Sequence, residues 1–495
     1  MKRLFACTLM LIATAPSLAA DANGYTAKYE CRAGGPNCNV DVAIFTAQAC
    51  QQTIAAGDAW SIINWSNTVI CLEAGDHSAK GTLTISASGT SGTRKVLRYY
   101  RASDTDDDPW NQSGANQATL KRLVVTGDYW IINRVRVNEN TGSNSVTGDN
   151  NILNRVLIEN SSGSTISGIE FDGNNNYYQN GVVRTTSKSP GNDQHCTTVK
   201  NANFIVNSEL YDCTDGVQLF QSHAGAAGTV IENNDFYITA AYESGADKIC
   251  AENGIDMKRG GTSANPVRVL HNRFWNFKKD DASCSGSGAN GDAIAINALV
   301  SGDAAYILIQ NNIVLSSQRG ISAANFGGSH SSIIGNVLYS ITSPFEVAAA
   351  VDLGKCKDCE IYHNTIISSD RAAWLGDNAD FLCNVVMDIS STIGGSGSQT
   401  NYNAYYGATD SGETNKIVST RANSTTYSLN TILRPTNPNN FLYMVTAAGT
   451  TASSPAVPCT NFGCTYVDGS VTLKAIRGQY AFYRKLRTAP ELYVL

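Results

Sequence analysis

Lys258 stands two residues after Asp256 in the segment Asn253-Gly254-Ile255-Asp256-Met257-Lys258-Arg259-Gly260. If that segment is a strand, alternation turns Ile255 and Met257 inward and puts Gly254, Asp256 and Lys258 on the outer face, the two charged residues ~7 Å apart. A lysine takes a proton only when it is partly neutral, so its use as a base depends on its charged neighbours. Arg259 and Arg273 are the nearby cations in sequence that would depress its pKa, and Asp256 is the anion that would raise it. Arg259 therefore joins Lys258 as a catalytic candidate. Arg319, in Ser-Ser-Gln-Arg-Gly-Ile-Ser, and Arg273 carry the planar fork that grips a carboxylate and are the candidate substrate binders. Asp280-Asp281 offers paired carboxylates that a hydrolase could use on the same scaffold. Each residue also has a plainer role: Lys258 as a solvated strand lysine, and Arg319 as the ion-pair partner of Asp292.

The elements that must position these groups are repeats. DGVQLF from Asp215, NGIDMK from Asn253 and DAIAIN from Asp292 are each followed 18 or 19 residues later by an apolar segment centred on an Asn. That apolar-Asn-apolar element recurs at Asn133, Asn154, Asn207, Asn233, Asn272, Asn311, Asn336, Asn364 and Asn384, at intervals of 20 to 53 residues. Short β-rich units at ~20 to 25 residues, with insertions, predict an all-β parallel β-helix in which equivalent side chains stack into ladders. An inward Asn then hydrogen-bonds its counterparts above and below, so these residues receive a structural role. Asp215, Asn253, Asp292 and Arg319 should form a separate ladder at the mouth of the strand. Gln218, Asp256, Ala295 and Ser322 should form an outward ladder, followed by Phe220, Lys258, Asn297 and Ala324. Loops are expected at 174–179, 187–196, 241–251 and 278–291, the last two flanking the NGIDMK strand, and long loops on a regular scaffold are where binding usually resides.

The expected organisation is a signal peptide over 1–20, an N-terminal cap over 21–66 with a short helix within 40–56, the β-helix over 67–390, and an irregular C-terminal coil and cap over 391–495. Lys2 and Arg3, an apolar run and Ala19-Ala20 have the order of a secretory leader. The chain is therefore expected to be secreted or periplasmic, and no later stretch is apolar enough for a membrane span. The formal charge of −6 argues against nucleic acid as a partner. It leaves an acidic polysaccharide open, because a local cation cluster can override net charge. The expected state is a monomer. Among 14 Cys, close spacing pairs Cys31 with Cys38, Cys50 with Cys71, Cys196 with Cys213, Cys250 with Cys284, Cys356 with Cys359 and Cys459 with Cys464. Cys7 leaves with the leader, and Cys383 is left over unless it replaces one member of the Cys356/Cys359 pair.

The segment NGIDMK, followed by VRVLHNRFWNF, KKDD and GDAIAI, resembles right-handed β-helix polysaccharide lyases, particularly the pectate lyases of family nine. The opening GTLTISASGTSGTRKVLRYY is similar to the first coil of those lyases and of chondroitinase B and alginate lyases. The resemblance spans about 68 to 390 and implies a right-handed β-helix that cleaves a uronate-containing glycan by β-elimination. It implies Lys258 as the base and calcium as the cofactor, with Asp215, Asp256, Asp280, Asp281 and Asp292 as candidate ligands. The acidic motif departs from the family pattern, since Ala295 stands where a carboxylate is expected. A β-helical glycoside hydrolase and a non-catalytic glycan-binding or surface protein are the alternatives.

Overall fold

Runs of three to five residues such as Ile152–Asn154, Val230–Glu232 and Asn253–Met257 form the strands, their β-branched members packing well on a pleated surface. The computed structural model describes residues 49–100, 118–139, 142–160, 167–185, 194–220, 226–239, 251–278, 291–297, 305–323, 329–342, 349–353, 356–391, 393–395, 399–401, 403–406, 418–429, 431–436, 441–461 and 464–477. The expected leader, the pairs Cys31/Cys38 and Cys250/Cys284, the loop 241–250, and Asp280 and Asp281 lie outside the described residues.

The strands stack in three parallel sheets. The first has 14 strands, from Gln52–Ile54 to Gln399–Asn401, and the second has 12, from Thr82–Ile85 to Gly394–Gly395. The third opens with Gly75–Asp76. Each coil gives one strand to each sheet, which makes the chain a right-handed parallel β-helix. Columns such as Ile205, Ile231, Val269 and Ile309 run up the interior in register and are fully buried or nearly so. Hydrophobic burial along these columns holds the coils together.

The corner between the first and third sheets has a two-residue grammar. Asn180, Asn207, Asn233, His271, Asn311, Gly335, His363 and Cys383 take left-handed φ values between 48° and 68°, and the next residue turns inward. That inward position holds Asn234, Asn272, Asn312, Asn336, Asn364 and Asn384, all at most 1% exposed. The backbone N–H and Nδ2 of Asn234 donate to Oδ1 of Asn272 at 2.9 and 3.0 Å, and the same pair of bonds recurs from Asn272 to Asn312 and from Asn312 to Asn336. Asn207, Asn233 and Asn311 are therefore the left-handed corner residues, one place before the ladder expected of them. Asn tolerates that conformation better than most residues.

Three further expectations are corrected. Gln52–Ile54 lies in the proposed helical stretch but is a strand paired in parallel with Val69–Glu73, so the stacking starts before residue 67. The loop expected at 174–179 ends at 176, because Tyr177–Gln179 is a strand of an ordinary coil. Parallel pairing also continues past 390, as far as Ile432–Arg434. Beyond it, Phe441–Ala447 and Val471–Arg477 pair antiparallel, enclosing a small core of Tyr427, Leu433, Tyr443, Val445, Val471 and Leu473. The disulfides Cys50–Cys71, Cys196–Cys213, Cys356–Cys359 and Cys459–Cys464 match the spacing. Cys383 is itself disulfide-bonded rather than left over, and no cysteine is free among the described residues.

Candidate functional site

The second sheet carries the polar groups. Its strands His195–Val199, Asp215–Leu219, Asn253–Met257, Asp292–Ile296 and Arg319–Ser322 are adjacent. Register aligns His195 with Asp215, Asp215 with Asn253, Asn253 with Asp292 and Asp292 with Arg319. The neighbouring column reads Thr198, Gln218, Asp256, Ala295 and Ser322.

A local irregularity brings the two columns to the same side. Pairing skips Gly216 and Gly254, and a Cβ on either would meet the ring of Phe236 or Phe274 at 2.7 Å. Phe236 and Phe274 are buried and stacked, with centroids 4.8 Å apart. Gly254 thus faces the core rather than the outer face that strict alternation assigns it. With Gly254 and Ile255 both inward, Asn253 and Asp256 emerge together. On the next coil, where Val314 replaces the phenylalanine in register, Ala293 replaces the glycine.

The cluster is dense and largely desolvated. Asp256 is fully buried; its Oδ2 meets Lys258 Nζ at 2.6 Å and its Oδ1 accepts from Asn297 Nδ2 at 2.8 Å. Burial pulls the Lys258 ammonium's pKa down, but attraction and a hydrogen bond from Asp256, with further attraction from Asp215 and Glu252, outweigh it and hold it above the ordinary lysine value. The neighbouring cations expected to depress it do not set the balance. Asp215 accepts from Asn253 Nδ2 at 3.0 Å and faces His195 Nε2 at 3.4 Å. Gln218 Nε2 lies 3.0 Å from the same imidazole nitrogen, and Thr198 Oγ1 lies 3.2 Å from Nδ1. Arg319 Nε is 3.9 Å from Asp292 Oδ1. Asn253 Oδ1 is buried without a hydrogen-bond partner, a cost that packing does not explain.

Of the residues singled out from sequence, the structure brings together Lys258, Asp256, Asp215, Asp292 and Arg319. Arg259 directly follows Lys258 and is partly buried. Arg273 does not join them. It lies in the third sheet and is held by Asp235, with Nε donating to Oδ1 at 2.6 Å. His195 was missed, since it was read as a loop residue. Extending the Asp215 repeat back one coil would have found it, 20 residues earlier. Among the described residues no group of three or more His, Cys, Asp and Glu side chains is placed to hold a metal ion. Asp256 is engaged by Lys258, Asp215 by Asn253 and Asp292 by Arg319.

No protein-family model matches the chain, and no curated protein matches it. Among solved structures, an alginate lyase from Paenibacillus sp. str. FPU-7 is 16% identical over 72% of this chain and 99% of its own, with a TM-score of 0.36. Pectate lyase Pel9A is 15% identical over 69% and 81%, with a TM-score of 0.39. PfbA, a surface adhesin of Streptococcus pneumoniae, is 10% identical over 78% and 92%, with a TM-score of 0.33. The fold rests on strand register rather than on these likenesses, and a β-helix by itself does not assign an activity.

Proposed function

We propose that this chain is an exported lyase that cleaves a uronate-containing polysaccharide by β-elimination on the outer face of the second sheet. The observation that carries the reading is the convergence of Lys258, Asp256, Asp215, Asn253, Asp292, His195 and Arg319 on one face, with several carboxylates desolvated and Asn253 Oδ1 unsatisfied. A passive stack needs none of these groups there.

In the proposed step Arg319 holds the sugar carboxylate and offsets its charge, acidifying the adjacent ring proton. Neutral Lys258 takes that proton. The electron pair of the broken C–H bond becomes the new ring double bond, and the bond from the next carbon to the glycosidic oxygen breaks. The departing oxygen takes up a proton from solvent, with the His195 imidazole beside Asp215 and Gln218 on the same face. Calcium is the proposed cofactor, with Asp215, Asp256, Asp280, Asp281 and Asp292 as its candidate ligands, and no step is routed through it. The four disulfides suit an oxidising compartment, in keeping with export. No helix among the described residues is long and apolar enough to cross a membrane.

The Lys258–Asp256 ion pair favours one competing reading, a glycan-binding surface whose lysine stays charged. The test is ultraviolet absorbance at the unsaturated-uronate band with polygalacturonate, alginate and chondroitin, each with calcium and with chelator, beside Lys258→Ala. The expected outcome is a rise on one substrate that falls about 10²- to 10⁴-fold in the variant. Reducing ends without absorbance would replace the reading with hydrolysis. Binding without either signal would replace it with adhesion.

A further inference from the structure

The two outer columns of the second sheet continue beyond Arg319. From Asp256 the register passes through Ala295, Ser322 and position 352 to Trp374, and Arg371 stands three residues earlier on the same strand. At ~4.8 Å per strand, Trp374 is ~19 Å from Asp256 along the solenoid axis. Trp374 is 40% exposed, whereas its strand neighbours Ala373 and Leu375 are buried. The Arg371 guanidinium lies over its ring, 4.6 Å from the centroid. On the next coil the residue in register is Gly394. A Cβ there would collide with the indole, so glycine is what lets the ring lie against the coil.

Arg371 differs from the arginines of the third sheet. Arg136, Arg184 and Arg273 are each ion-paired, but among the described residues no carboxylate pairs with Arg371, and its Nε is buried without a hydrogen-bond partner. A partly buried guanidinium that the protein has not paired with a carboxylate among the described residues is a preorganised receptor for one. An exposed indole beside it offers a flat apolar face to the C–H face of a sugar ring.

We propose that Arg371 and Trp374 form a remote uronate-binding subsite, occupied by the same chain whose bond is cleaved near Lys258. The inference rests on the reading of that cluster as a site for uronate polysaccharide. Pyranose units repeat along a chain at close to the strand spacing, so a glycan lying along the axis reaches the pair about four sugars from the reacting one. The subsite holds long substrates and has no contact with short ones.

The test is calorimetric binding of uronate trimers and octamers, from both mannuronate and galacturonate, to the full chain and to its Arg371→Ala, Trp374→Ala and Trp374→Phe variants. Cleavage of the same sugars by the wild type is followed in parallel. The expected result is octamer affinity about tenfold weaker in each alanine variant, trimer affinity unchanged, and most of the loss restored by Trp374→Phe. Unchanged octamer affinity, or equal weakening for trimer and octamer, overturns the subsite even if the wild type cleaves normally. Length-dependent weakening without cleavage supports the subsite and overturns the lyase reading instead. Failure of the wild type to bind either octamer overturns both.

Discussion

The outer faces of the second and third sheets carry similar residue types but treat them differently. On the third sheet Glu159 is clamped between Arg136 and Arg184, whose Nε atoms donate at 2.6 and 2.9 Å, and Arg184 Nη1 donates to the Tyr211 hydroxyl at 2.8 Å. The rings of Tyr211, Tyr237 and Trp275 stack, with successive centroids 4.7 and 4.3 Å apart. Their faces are spent on one another, and the charges are neutralised within the sheet. On the second sheet Asp292 and Arg319 approach only to 3.9 Å, Asn253 Oδ1 has no partner, and the indole of Trp374 is open to solvent. Charged and aromatic ladders are therefore common to this fold. An incompletely satisfied ladder is what marks a site.

The largest effect that would sharpen this contrast is at Arg319. If it holds a substrate carboxylate, Arg319→Ala removes a charge-assisted interaction of about 1.5–3 kcal/mol, or roughly 10- to 100-fold in kcat/KM. Steady-state kinetics on the substrate found by absorbance measures it. A loss under threefold would return Arg319 to the role of a structural partner of Asp292.

Asp256 sharpens the contrast through pH. Lys258 is held above the ordinary lysine value, so below that value it is an ammonium and cannot accept a proton. Activity should accordingly climb about tenfold per pH unit on the acid side. Asp256→Asn keeps the shape and removes the carboxylate whose attraction does most to raise the lysine pKa. The rising limb should move to lower pH, making the variant faster than wild type at neutral pH. An unmoved limb would show that a group other than Lys258 is titrating.

Much of this was legible in the chain, and what was not has a physical cause. The repeats at Asp215, Asn253 and Asp292 predicted the strands and the register that joins them to Arg319, because stacked coils must align equivalent residues. The Asn spacing located the coils but misplaced Asn207, Asn233 and Asn311 by one. An Asn in a left-handed corner and an Asn turned inward are neighbours in the same short motif, and composition does not separate them. Gly254 was assigned outward because alternation assumes an unbroken pleat, whereas the phenylalanine packed across the coil requires glycine to face it. His195 was hidden because the wide interval between Asn154 and Asn207 reads as holding a loop over 187–196, which covers the start of the strand His195–Val199. Arg273 was drawn into the site by its charge and its closeness to Lys258 in sequence. Fifteen residues is enough to carry the chain round a corner into another sheet.

Arg273 also offers the smallest effect and the strictest control. Its side chain is 39% exposed and that of Asp235 19%, and such partly exposed ion pairs contribute about 0–1 kcal/mol. Arg273→Ala should therefore cost at most about 1 kcal/mol in denaturant unfolding. It should leave kcat/KM within about twofold, since the third-sheet ladder satisfies itself and touches no proposed substrate position. The pairing of results matters more than either alone. If Arg273→Ala and Arg319→Ala reduced activity equally, satisfaction of the ladder would not be what separates a working face from a structural one. A silent Arg273 beside a costly Arg319 would mean that Arg319, which keeps one buried guanidinium nitrogen without a hydrogen bond beside its ion pair with Asp292, serves a ligand as well as the sheet, whereas Arg273 serves the sheet alone.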